Sequence, residues 1–259
     1  DTAGRYTTQE SEQERDAGEW LDFVGLLRKY RRRQPINGVI VTVSVSDLLT
    51  LSPDAREQQA VSMRPRLAEL HEQLGIRFPV YVLVTKSDLL KGFRDYFASF
   101  DKAQRDQIWG FTFPWEQSKQ AGFDVMGALH QEYALLQQRL EAGLPDTLLN
   151  ESDPQSRANS YLFPQEFAAL RPLLTDFLGT VFARSNFETQ FSPRGIYFAS
   201  GTQEGLPFDR VMGNLNRALS LPTDGDNGGD WDSVSKEAPI PGAKGQSFFI
   251  KNLLHNVIF

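Results

Sequence analysis

The chain has 259 residues, 40% of them hydrophobic, which is enough to bury a sizeable core as one large domain or two small ones. Its 27 Lys and Arg against 33 Asp and Glu give a net charge of −6, which argues against a nucleic-acid-binding surface over the whole molecule and leaves room only for local basic patches. There is no cysteine, so disulfides and thiol chemistry are excluded, and the three histidines (His71, His130 and His255) lack metal-ligand spacing.

No apolar run approaches the ~18 residues of a membrane span. The chain opens on DTAGRYTTQE, without Met and without a strand leading in, which reads as a functional site cut open. The stretch EWLDFVGLLRKYRRR follows, with Trp20, Phe23, Val24, Leu27 and Tyr30 at helical spacing. It ends in RKYRRR, five cations in six residues. These cations suit a helix C-terminus, where they complement the macrodipole, or else a contact with anionic lipid or an acidic partner.

GVIVTVSV (Gly38 to Val45) and PVYVLVT (Pro79 to Thr85) are dense in β-branched and aromatic residues and lack a consistently polar second face. They read as buried parallel strands. Between them SPDAREQQAVSMRPRLAELHEQLG has a Ser N-cap, a Pro behind it and a closing Gly, with Pro65 expected to kink or divide the helix. From Phe93 to Phe191 the patterns are helical, with Val125, Met126, Leu129, Tyr133, Leu136 and Leu140 on one stripe and PQEFAALRPLLTDFLGTVF as a second apolar helix. No strand is predicted there. GIYFAS (Gly195 to Ser200) is the third parallel strand.

The predicted architecture is a three-layer α/β sheet of parallel strands. It divides into an α/β core over 1–92, a helical insertion over 93–191, the last core strand and helix over 192–221, a Gly-, Pro- and Asp-rich loop over 222–246 and a C-terminal helix over 247–259.

Ligands of parallel α/β sheets bind beyond the carboxyl ends of the strands. TKSD (Thr85 to Asp88) follows the second strand and fits the [NT]KxD loop by which GTPases read guanine. In that loop the Asp carboxylate accepts from the base, the Lys stem covers the ring and the Thr ties the loop down. An ordinary polar loop after a strand is the alternative. SGTQEG (Ser200 to Gly205) follows the third strand, where GTPases place a loop whose backbone N–H meets the base carbonyl. DTAG matches DxxG, with Asp1 holding a water on Mg²⁺ and Gly4 meeting the terminal phosphate.

A G-x-x-x-x-G-K-[ST] phosphate loop is not found among the 259 residues; GAKGQS (Gly242 to Ser247) has the wrong spacing. Gln9 and Glu10 stand where a water-orienting residue can sit, or form a solvated helix start. Trp115 is either an exposed partner anchor or a buried side chain.

DTAGRYTTQ, TKSDLL, YFASGTQEG followed by PFDRV, and the closing FFIKNLLHNVIF together resemble the IcmF/TssM family of bacterial type VI secretion systems, from Asp1 to Phe259. The resemblance implies a P-loop NTPase-like cytoplasmic region at the inner membrane, with membrane spans outside this chain. It implies partners in the inner-membrane complex and the baseplate, while the acidic net charge is the ground for expecting none among nucleic acids. It assigns Asp1 and Gly4 to the Mg²⁺ and γ-phosphate motif, with Asp1 as the metal-side residue. Thr85, Lys86 and Asp88 fall to the base loop, and Ser200 and Gly201 to the last base-contacting loop.

No cofactor and no catalytic residue is expected in this chain by itself, which lacks the amides and Lys that cradle phosphates. GTP or ATP with Mg²⁺ belongs to the full-length protein, either as a switch for docking or as fuel in an active hydrolase. In the usual GTPase sheet order the strand that leads into the phosphate loop lies beside GVIVTVSV, so without it residues 38–45 are expected to form an open edge, through which the chain self-associates or which it covers by rearrangement.

Overall fold

The computed structural model describes residues 13–31, 33–114, 116, 123–183, 193–202 and 246–258. In chain order the elements are α1 (Gln13–Tyr30), β1 (Val39–Ser44), α2 (Val45–Thr50), α3 (Pro53–Leu74), β2 (Val80–Thr85), α4 (Phe93–Tyr96), α5 (Lys102–Arg105), β3 (Gly110–Thr112), α6 (Val125–Asn150), α7 (Pro154–Val181), β4 (Pro193–Phe198), β5 (Ser200–Thr202), β6 (Gln246–Phe248) and α8 (Lys251–Leu253), which runs on as a π turn over Leu254–Ile258.

The main sheet has the order β1-β2-β4-β3. β1, β2 and β4 are parallel, with Val41 opposite Val82 and Val82 opposite Ile196. β3 is antiparallel to β4, with Phe111 opposite Ile196. The sheet is therefore mixed, where a wholly parallel one was expected, and the added strand lies inside the stretch read as helical. Its signal is short: Trp109, Phe111 and Phe113 alternate with Gly110 and Thr112, and the three aromatics are buried. Gly110 lets this strand lie against β4, because a Cβ there would stand 2.4 Å from the Ile196 carbonyl oxygen.

The period of two in β2 separates two cores. Val80, Val82 and Val84 point into the main cluster with Phe163, Phe167, Leu170 and Leu174 of α7. Tyr81 points the other way, to Tyr197 and Leu253. Helices thus cover one face of the sheet and the C-terminal helix covers part of the other. Residues of α6 and α7, from the predicted insertion, share one continuous cluster with the strands. Tyr133 stacks on Phe167 at 4.4 Å and donates its hydroxyl to the Phe167 carbonyl at 2.5 Å, joining α6 to α7. Burial pushes the Tyr96 hydroxyl up to about 12; it donates to the Leu140 carbonyl at 2.7 Å and ties α4 to α6.

α3 begins and ends as its sequence predicts. The Ser52 side chain accepts from the Ala55 N–H, Pro53 sits in the first turn, and Gly75 closes the helix at φ 65°. Pro65 does not divide it. The helix is continuous because Pro65 is exposed, and Val61, whose carbonyl loses its donor, is itself half exposed to water. α7 likewise runs through Pro164 and Pro172, starting ten residues before the predicted apolar stretch, on an Asp153 cap that accepts from the Ser156 N–H at 2.7 Å. At the C-terminus the predicted helix over 247–259 is preceded by a strand. Gln246 to Phe248 pair antiparallel with Ser200 to Thr202, and helical structure begins only at Lys251. The loop expected at 222–246 lies outside the described residues but for Gln246.

Two glycines separate backbone strain from steric conflict. Gly75 has φ +65° and open space where a Cβ would go; Gly92 has φ +79° and the Asn159 carbonyl oxygen of α7 at 2.1 Å. Gly75→Ala should cost about 1 kcal/mol, the left-handed penalty alone. Gly92→Ala should cost at least about 2 kcal/mol more, because α7 has to shift. Urea denaturation of the two variants checks the difference, and equal losses would mean that α7 does not pack on Gly92.

Candidate functional site

Three parallel strands end side by side, at Ser44, Thr85 and Phe198. The Thr85 hydroxyl donates to the Val43 carbonyl at 3.5 Å and so ties the ends of β1 and β2. The chain then turns sharply at Lys86, which has φ 58° and ψ 36°. A left-handed non-glycine residue carries a cost of about 1 kcal/mol or more and is held only where surrounding contacts fix it. Here they do. The Ser87 N–H donates to the Ala199 carbonyl at 3.2 Å, and the Ala199 N–H donates to the Val84 carbonyl at 2.9 Å. Ser87 is fully buried, and its hydroxyl donates to the Val84 carbonyl at 3.4 Å. A short 3₁₀ turn over Ser87–Leu89 follows and carries Asp88.

The Ser200 hydroxyl donates to Asp88 Oδ1 across 112 residues of sequence. Asp88 Oδ2 lies 3.8 Å from Arg94 on α4. Ser200 is buried, whereas the side chain of Asp88 keeps a solvent-facing part. Gly201 is exposed, with open space at its Cβ position, and pairs with Ser247 in the β5–β6 ribbon. The result is a small polar platform at the carboxyl edge of the sheet. It has an exposed Lys86, a carboxylate with one oxygen held by a hydroxyl and the other near a guanidinium, and the backbone of Gly201 beside them.

A family model described as the IcmF-related N-terminal domain matches residues 13–259. The chain belongs to the IcmF-related family. It is similar to a curated protein named "Type VI secretion system component TssM1" from Pseudomonas aeruginosa, at 42% identity over 259 residues. That match covers 100% of this chain and 22% of the relative, so the chain spans about a fifth of the relative's length. No solved structure matches the chain.

Of the residues singled out in the sequence, this IcmF-related domain brings Thr85, Lys86, Asp88, Ser200 and Gly201 together at one edge of the sheet. Asp1, Gly4, Gln9, Glu10 and Trp115 lie outside the described residues, as do Gln203 to Gly205 of the SGTQEG stretch. Among the described residues there is no group of three His, Asp or Glu side chains placed to hold a metal ion. Two members of the platform went unread in the sequence. Ser87 is the x of the [NT]KxD pattern and carries no signal of its own. Arg94 lies six residues beyond Asp88 in an unremarked KGFRDY, and only the turn of α4 brings it near.

The backbone at Lys86 makes a stability prediction independent of any ligand. Lys86→Gly should be close to neutral, since relief of the left-handed conformation offsets the greater freedom of glycine in the unfolded chain. Lys86→Val should cost about 1–2 kcal/mol, because a β-branched side chain resists that conformation. Thermal denaturation of the pair checks it; a tolerated Val would show that the loop relaxes to an extended form.

Proposed function

We propose that this domain is part of a type VI secretion membrane-complex component, lying at the cytoplasmic face of the bacterial inner membrane. Its work there is assembly and docking between the membrane complex and the baseplate, and a nucleotide acts on it as a switch. The secretion role is supported by the match to the Pseudomonas aeruginosa component along the whole of this chain. Among the described residues no helix is long and apolar enough to cross a membrane, and the membrane-spanning segments are proposed to lie in parts of the parent protein outside this chain.

The observation that carries the switch is the joining of TKSD to SGT. A base-reading pocket of P-loop NTPase type needs its carboxylate and its last loop in contact, and the Ser200 to Asp88 hydrogen bond supplies that contact. Amides at a phosphate loop supply much of nucleotide binding and catalysis, and the 259 residues hold no such loop, so docking is the role proposed for this chain by itself. Self-association through residues 38–45 remains part of the proposal: among the described strands β1 pairs only with β2, which leaves its other edge open. The alternative, an active ATP or GTP hydrolase that powers assembly, draws on the same loop geometry and requires a phosphate loop in the longer protein.

Binding of fluorescent GTP and ATP with Mg²⁺ tests the proposal, measured on this chain and on the same protein extended upstream. The expected result is weak or no binding here, binding in the extended protein without multiple turnover, and a changed base preference on Asp88→Ala. Steady hydrolysis by the extended protein would favour the alternative. Absence of binding in both would leave docking on an NTPase-like scaffold and remove the switch.

A further inference from the structure

Helix α1 carries two apolar stripes. Trp20 and Val24 are buried against Leu70 and Leu74 of α3, with Leu27 packed beside them. Phe23, Leu26 and Tyr30 stand on the neighbouring face, spaced i, i+3 and i+7, and are 43%, 52% and 73% exposed. The sequence sets Phe23 and Tyr30 at helical spacing with Trp20, Val24 and Leu27; the fold buries Trp20 and Val24 and leaves Phe23 and Tyr30 to solvent. This second stripe runs into the cationic end of the helix. From Phe23 to Ser46 the sequence holds no carboxylate, while five cations fall between Arg28 and Arg33. Arg28 reaches the Gln73 carbonyl at the end of α3 at 3.4 Å, and Lys29 Nζ lies 5.4 Å from the centre of the Tyr30 ring. Lys29, Arg31 and Arg33 are exposed.

Complementing the helix macrodipole accounts for Arg28 and Lys29 in the last turn. It does not account for Arg33, which lies beyond the helix, nor for a solvent-facing Phe, Leu and Tyr beside it. Exposed aromatic and aliphatic side chains on a convex helix face, with the cations gathered at its C-terminal end and the nearest acid, Asp22, at the opposite end beside Phe23, match the chemistry of an interfacial helix. A convex stripe has no groove to fit a partner's side chains, whereas a lipid surface accepts shallow apolar insertion without a complementary pocket.

We propose that the C-terminal half of α1 docks on an anionic lipid bilayer, with Phe23, Leu26 and Tyr30 in the headgroup region and Lys29, Arg31 and Arg33 against lipid phosphates. The net charge of −6 then orients the molecule, since an anionic surface attracts this patch and repels the rest. The inference is independent of the loop site and of nucleotide.

Cosedimentation of the chain with phosphatidylcholine vesicles, with and without phosphatidylglycerol, tests it. The chain should bind only the anionic vesicles, and less as salt is raised. Each interfacial cation is worth roughly a fivefold change in partition, so Lys29→Gln/Arg31→Gln/Arg33→Gln should weaken binding at least ~10-fold. Leu26→Ser/Tyr30→Ser should weaken it several-fold with an unchanged circular dichroism spectrum. Tyr30→Ser alone, at the most exposed position, serves if the double variant misfolds. Failure to bind anionic vesicles overturns the proposal, and so does loss of binding in the charge variant with none in the apolar ones. Retention on immobilised poly-glutamate without vesicle binding would assign the patch to an acidic protein and overturn it equally.

Discussion

The packing of aromatic rings around Trp109 and Phe93 holds together parts of the chain that are far apart in sequence. Trp109 lies 5.2 Å from Phe167 on α7, 5.0 Å from Phe198 on β4 and 5.4 Å from Phe249 near the C-terminus. Phe93 meets Phe163 and Phe248 edge-on, at 5.7 and 5.4 Å. Such pairs contribute about 0.5–1.5 kcal/mol each beyond the area they bury. Their positional effect matters more here. One knot joins the strand that leads into the Ser200 loop, the helix that follows the Asp88 loop and the C-terminal strand that pairs with Ser200.

The C-terminal segment shows how firmly that knot acts. Phe249 is buried at φ 64°, a conformation that costs a bulky residue about 1–2 kcal/mol. It is kept there by its ring contacts and by its N–H, which donates to the Arg105 carbonyl at 2.7 Å. Lys251 adds an ion pair to Asp106 at 3.2 Å, although this pair is exposed on the Lys side and contributes little. The turn at Phe249 sets the direction of β6, β6 pairs with β5, and β5 begins with Ser200. Core packing therefore fixes the hydroxyl that reaches Asp88.

The parts of this arrangement legible in the sequence are those set by local pattern. Three β-branched runs gave the parallel strands to within two residues, and Ser52, Pro53 and Gly75 marked the ends of α3. TKSD and SGT were visible because strand ends in α/β sheets are read by position. The antiparallel β3 was not legible, since three residues carry too little periodicity to outweigh long helical neighbours. Neither was β6, whose strand state comes only from its partner more than forty residues upstream. The outward face of Phe23 and Tyr30 was lost for a related reason: apolar spacing marks a helix, but α3 decides which of two adjoining stripes is buried. Arg94 had no signal at all, because its place beside Asp88 follows from the turn at Gly92 against α7.

The central claim is that two loops, brought together by the core, form a single polar site through Ser200 and Asp88. A double-mutant cycle tests it without any ligand, with the stabilities of wild type, Ser200→Ala, Asp88→Ala and the double variant measured by urea denaturation. A hydroxyl-to-carboxylate bond of this kind predicts a coupling of about 1 kcal/mol or more between the two positions. Effects that add to within about 0.3 kcal/mol would contradict it, because the loops would then be neighbours without being one site.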